Sequence, residues 1–147
     1  MKRFFILVAL IGSTLFTSSY AAGVRTTPVV TRAFETTFYG AKEVGWEQVG
    51  VLYKATFELN GQYRSAFYNS DGDLIATTEN LSSIKLPKAL QASLKQELNG
   101  RWISDLFMVS VEGDDTYYVK LENANSMVLL KSAGAKKWTL YQKTDKQ

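Results

Sequence analysis

The sequence predicts an α+β domain of two layers, an antiparallel β-sheet with two helices packed on one face, in the order α-β-β-β(β)-α-β-β-β-β. Three observations predict it. Apolar residues recur at helical spacing in only two short segments, and elsewhere they alternate every second residue. The strand-like runs are separated by tight-turn residues rather than long connections, which favours antiparallel pairing with both helices on the same side.

The first helix is expected over about 29–39. Val30, Ala33, Phe34 and Phe38 share one face, Thr27 can cap it, Pro28 lies near its first turn and Gly40 stops it. The second is expected over about 87–98, with Leu86, Leu90, Leu94 and Leu98 on one face, Pro87 opening it and Asn99-Gly100 ending it.

Between the helices, Tyr53, Ala55, Phe57 and Leu59 alternate with Lys54, Thr56 and Glu58, the pattern of a strand with one buried face. The next strand carries Tyr63, Ser65 and Phe67 against Arg64 and Tyr68. Asn60-Gly61 invites a two-residue hairpin, but that register would set Gln62 and Arg64 on the face of Leu59 and Phe57. A three-residue loop with a glycine bulge is therefore expected, since a one-residue slip turns a whole strand over. Asn69-Ser70-Asp71-Gly72 turns the chain into a strand over Asp73–Thr78. After the second helix come strands over Trp102–Val111, Thr116–Glu122, Ser126–Lys131 and Trp138–Gln142, with Gly113-Asp114-Asp115 as the turn before the second of them.

The chain opens with Lys2 and Arg3, an apolar run from Phe4 to Ile11 and a small-residue stretch ending Ser19-Tyr20-Ala21-Ala22. This is the layout of a secretory signal peptide, with cleavage expected after Ala21. The apolar run is broken at Gly12-Ser13-Thr14 and is shorter than the roughly 20 residues a membrane span needs. The expected organisation is thus a signal peptide over 1–21, a linker over 22–29 and one domain over 30–147. Two half-repeats are expected within it, 30–79 and 86–144, because Phe34, Phe38, Gly40 and Trp46 echo Leu94, Leu98, Gly100 and Trp102. A mature periplasmic or secreted chain of about 125 residues buries enough surface to fold without staples. It must do so, because there is no cysteine for a disulfide or a lipid anchor.

Without Lys2 and Arg3 the 17 basic residues fall to 15 against 14 acidic ones. The basic cluster in the tail (Lys131, Lys136, Lys137, Lys143, Lys146) reads as a solvated edge, and nucleic acid is not an expected partner. The run Ala33-Phe34-Glu35-Thr36-Thr37-Phe38-Tyr39-Gly40-Ala41-Lys42-Glu43-Val44-Gly45-Trp46 resembles the start of PepSY-like domains, an amphipathic helix, a glycine exit and a tryptophan-bearing strand. Tyr53–Phe57, Ala66–Leu74, Leu86–Leu94 and Asp115–Leu121 resemble that family too, so the likeness covers roughly 30–122. It implies a fold like that of the β-lactamase-inhibitor protein, an exported location, and an association with binding or inhibiting peptidases. The strands from Met127 to Lys143 have no counterpart in the family pattern.

Histidine and cysteine are both absent, which removes Ser-His-Asp and Cys-His catalysis and ordinary zinc or haem sites. Of the acidic candidates Asp71, Asp73, Asp105, Asp114 and Asp115, most fall where turns favour aspartate for backbone reasons. Asn69-Ser70-Asp71-Gly72-Asp73 fails as a calcium loop, because a glycine at the sixth position makes Phe67 the first ligand. Asn80-Leu81-Ser82 fits a glycosylation sequon. No catalytic residue, cofactor or metal is expected. The remaining candidate is the helix-free sheet face, on which alternation places Lys54, Arg64, Tyr68, Tyr118 and Lys120 as binding residues for a protein partner. The alternative is a small-ligand or ion-responsive module with its ligand between helices and sheet. Alternation alone does not assign Trp46, Trp102 and Trp138 to a face.

Overall fold

The computed structural model describes residues 24–146; the expected signal peptide lies outside the described residues. Helix α1 (Pro28–Thr37) precedes four strands, β1 (Lys42–Val49), β2 (Leu52–Leu59), β3 (Gln62–Tyr68) and β4 (Leu74–Asn80). A 3-10 turn at Ser83–Lys85 leads to α2 (Lys88–Leu98) and four more, β5 (Trp102–Val111), β6 (Asp114–Glu122), β7 (Ser126–Ala133) and β8 (Thr139–Asp145). All eight form one antiparallel sheet whose spatial order is the sequence order. The predicted α+β order holds, and the bracketed fourth strand of the first half is real.

The helices form where their caps dictate. Thr27 Oγ1 accepts from Val30 N–H at 3.3 Å, and Pro28 fills the position whose N–H would go unused. The α1 helix ends two residues short of expectation, in a turn closed by Gly40 at φ 84°. Asn99 and Gly100 end α2 with φ 40° and 77°, the left-handed exit expected of that pair.

Each helix sits on its own half of the sheet. Val30 and Phe34 of α1 pack on Ala55, Phe57, Ala66 and Tyr68, with Trp46 and Tyr53 at the margin. The Phe34 ring centroid lies 5.0 Å from that of Phe57 and 5.3 Å from that of Trp46, both edge-on, a favourable aromatic geometry. Leu86, Leu90 and Leu94 pack on Leu106, Val119, Leu121, Val128, Leu130 and Trp138. The Trp138 indole donates to Leu90 O at 3.2 Å, so its one polar atom is satisfied inside the core.

Two expectations of register are corrected. Leu59 pairs with Gln62, Phe57 with Arg64 and Tyr53 with Tyr68, so the β2–β3 loop is the two residues Asn60-Gly61, not three. Both have positive φ, 54° and 76°, the requirement of a type I′ hairpin. Arg64 and Tyr68 consequently face the helices, and Tyr63 and Phe67 face away. The polar inward residue that argued against this register is accommodated because Arg64 pairs with Glu79 at 3.2 Å across β3–β4. Likewise the β5–β6 turn is Glu112-Gly113, with φ 53° and 89°, so Asp114 and Asp115 belong to β6 and not to the turn.

At the β3–β4 turn, a Cβ on Gly72 would stand 2.9 Å from Val29 Cγ1, at φ +84°. Gly72→Ala is expected to cost about 1–2 kcal/mol from the backbone conformation alone, plus a steric part that Val29→Ala relieves; denaturant midpoints of the single and double variants separate the two. Ser132 is 1% exposed and its hydroxyl has no hydrogen-bond partner among the described residues. Ser132→Ala is expected to raise the unfolding free energy by about 1 kcal/mol, read from the same titration.

Candidate functional site: the helix-free sheet face

The face away from the helices has an apolar centre of its own. Leu52, Phe67, Ala76, Val109, Tyr118 and Leu129, one from each strand from β2 to β7, form a single cluster. Each is 9% exposed or less. Among the described residues no helix contributes to this cluster, and Ile75, Phe107, Val111 and Tyr141 pack against it. Phe107 stacks on Tyr118 (centroids 5.3 Å, planes 10° apart), and Tyr141 meets Tyr118 edge-on at 5.8 Å.

Polar and charged side chains border this centre. Across the β1–β2 ladder Lys54 bonds Glu47 at 2.5 Å, and across β2–β3 Thr56 and Ser65 share a hydroxyl contact of 3.3 Å. Toward the other edge Lys120 stands opposite Asp105 on β5 and Leu129 on β7. The Lys131 ammonium lies 5.0 Å over the Tyr141 ring. Lys146 bonds Glu122 at 2.7 Å and lies 5.6 Å over the Trp102 ring. That pairing, with the Ser104 hydroxyl, holds the Glu122 carboxyl below its ordinary range. Burial, followed by the neighbouring Tyr141, pushes the Tyr118 phenol up, and burial raises Tyr141.

Of the five predicted binding residues, Lys54, Tyr118 and Lys120 share this face. Tyr118 is part of its floor rather than an open contact, at 9% exposure. Arg64 and Tyr68 are on the opposite, helix-bearing side for the reason of register given above. The exposed aromatics that alternation missed here are Tyr63 and Trp102, 56% and 54% exposed. Tyr63 donates to Glu43 on the bulged edge strand β1, and the Asn60-Gly61 pair, read at face value, would have placed it. The three tryptophans separate: Trp46 lies against α1, Trp138 under α2, and Trp102 opposite Glu122 on the open face.

The space between helices and sheet, where a small ligand was the alternative expectation, is occupied by the two apolar clusters. Among the described residues no group of three acidic, histidine or cysteine side chains gathers as metal ligands would.

Solved structures share this architecture. The chain is similar to a BLIP-like protein from Bacteroides fragilis NCTC 9343, with 20% identity, 84% of this chain and 89% of that chain covered, and a TM-score of 0.70. It is similar to a DUF2874 family protein from Bacteroides ovatus ATCC 8483, at 19% identity over 84% and 89% of the two chains, TM-score 0.74. A protein from Bacteroides eggerthii DSM 20697, described provisionally as periplasmic, matches at 12% identity over 83% and 90%, TM-score 0.74. The fold is therefore BLIP-like, two helices beside an open eight-stranded antiparallel sheet. No family model and no curated protein matches the chain, and the PepSY part of the resemblance rests on the residues that suggested it.

Because the phenols of Tyr118 and Tyr141 are raised in the folded chain, the fold holds their protons more tightly than the unfolded chain does. That stability is complete below the ordinary tyrosine value of about 10 and is lost as pH rises through and beyond it. The domain is expected to unfold in alkali, and Tyr118→Phe to move the alkaline midpoint to higher pH, as followed by circular dichroism.

Proposed function

We propose that this chain is an exported, non-enzymatic binding protein that holds a protein partner on the helix-free sheet face and regulates or inhibits an exported enzyme such as a peptidase. The observation that carries the reading is a border of exposed aromatic residues, Tyr63 and Trp102, and of lysines around a buried apolar floor, on a face that no helix covers among the described residues. An isolated sheet face exposed only to water alternates to polar residues. This one instead builds an apolar, aromatic centre with charged groups at its border, the anatomy of a protein-binding surface. Lys54 and Lys120 flank the centre on either side, and Tyr118 sets its floor. The name of the Bacteroides fragilis relative, BLIP-like, fits an inhibitor role, and the description of the Bacteroides eggerthii protein fits an exported one. The absence of histidine and cysteine from the sequence removes the commonest catalytic residue types. A periplasmic or secreted location agrees with the signal-like opening segment.

The test is a pull-down from native envelope extract with the chain from Ala22 onward, beside a Lys54→Glu/Lys120→Glu form whose fold is checked by circular dichroism. A partner recovered by the unaltered chain and bound at least tenfold more weakly by the variant, ~1.4 kcal/mol or more, is the expected result. Equal binding by both forms would place the contact elsewhere.

A further inference from the structure

The fold disperses the lysines that cluster in the sequence of the tail and assembles a different set. Lys131 and Lys146 lie over aromatic rings of the open face, and Lys143 pairs with Asp145 on the edge strand. Lys136 and Lys137 stay with α2: neighbouring Ala135 packs against the α2 cluster, and neighbouring Trp138 bonds the Leu90 carbonyl. On α2 the buried positions are Leu90 and Leu94. Counting 100° per residue from them sets Lys88 and Lys95 on the outward side of the helix, and both are exposed. Lys85 lies one turn earlier.

We infer that this helix-bearing surface (Lys85, Lys88, Lys95, Lys136, Lys137) docks on the anionic headgroups of a lipid bilayer, with Ile84 entering the interface. Three features carry the inference. None of the five lysines takes part in an ion pair among the described residues, whereas Lys54, Lys143 and Lys146 all do. Only Glu35 and Glu97 are acidic on the two helices, and the other carboxylates belong to strands and turns. An exposed apolar side chain accompanies the charge: Ile84 is 81% exposed beside Lys85. A soluble acidic polymer needs the charge alone. Lysines beside an open aliphatic side chain on one face match what lies on a headgroup surface. Docking by the helices would leave the opposite sheet face turned toward water.

Each lysine near an anionic leaflet is worth about fivefold in partition. Co-sedimentation of the chain from Ala22 onward, which contains every helix and strand described, is compared on vesicles of phosphatidylglycerol with phosphatidylethanolamine and on vesicles of phosphatidylcholine. Binding to the anionic vesicles only, weakening with added salt, is expected. Lys88→Glu/Lys95→Glu is expected to lose at least about twentyfold, and Ile84→Ser severalfold at unchanged charge. The sheet-side pair Lys42→Glu/Lys131→Glu, with the same change in net charge, should stay within about threefold of the parent by the same scale. Circular dichroism confirms that all three variants fold. Absence of binding to anionic vesicles, equal binding to phosphatidylcholine, or equal loss in both charge variants would each overturn the assignment. Capture by soluble polyglutamate without vesicle binding would reassign the lysines to an acidic polymer.

Discussion

The constraint on which this structure depends is that its central strands carry buried side chains on both faces while the described helices cover only one. Two helices of 10 and 11 residues shield one side. On the other, the strands from β2 to β7 must shield each other, and they do so by converging their side chains on a common cluster. The demand is visible within single strands. In β3, Ala66, Phe67 and Tyr68 are buried in succession, and in β7 the same holds for Val128, Leu129 and Leu130. Such runs belong to strands covered on both faces, and on the helix-free side the covered floor is bordered by side chains that stay open, Tyr63 and Trp102 among them.

The two halves reach the same layering with different chemistry. Under α1 the contact is aromatic: Phe34 and Phe38 reach Phe57, Trp46 and Tyr68, and the large rings are accommodated by Ala55 and Ala66 facing each other across β2–β3. Under α2 it is aliphatic, with leucines from the helix meeting Val119 and Leu130 where the first half has its paired alanines. Large on small in one half and medium on medium in the other both fill the gap between helix and sheet, as close packing requires. Trp138 supplies the one indole of the second core, brought in from the loop before the last strand.

Much of this was legible because it is local. The caps of α1, the leucine spacing of α2 and most strands follow from neighbours in sequence. What misled was the assumption that a charged residue faces water. Arg64 points to the helix side because its partner Glu79 comes from the next strand, and that pairing cannot be seen from alternation within β3. The Asn60-Gly61 turn was the stronger signal, since two consecutive positive φ angles are a backbone demand that few residue pairs meet. The same logic limited the candidate site. Parity put Lys54, Tyr118 and Lys120 on one face correctly, yet the depth of Tyr118 comes from Phe107 and Tyr141 on two other strands. The unmatched tail proved to be β7 and β8, ordinary continuations of the second half.

Because the spatial order of the strands is the order of synthesis, every strand finds its first hydrogen-bonding partner in the strand just made. Such a chain needs few long loop closures, the term that slows sheet proteins most. Emerging amino terminus first from a ribosome or a narrow pore, it can lengthen its sheet one strand at a time and never has to hold an early strand in waiting for a late neighbour. The exception is the α2 core, which closes only when Trp138 arrives 48 residues after Leu90. The first half can therefore settle around its aromatic cluster while the second is still incomplete, and completion of the last hairpin is the step that seals the molecule.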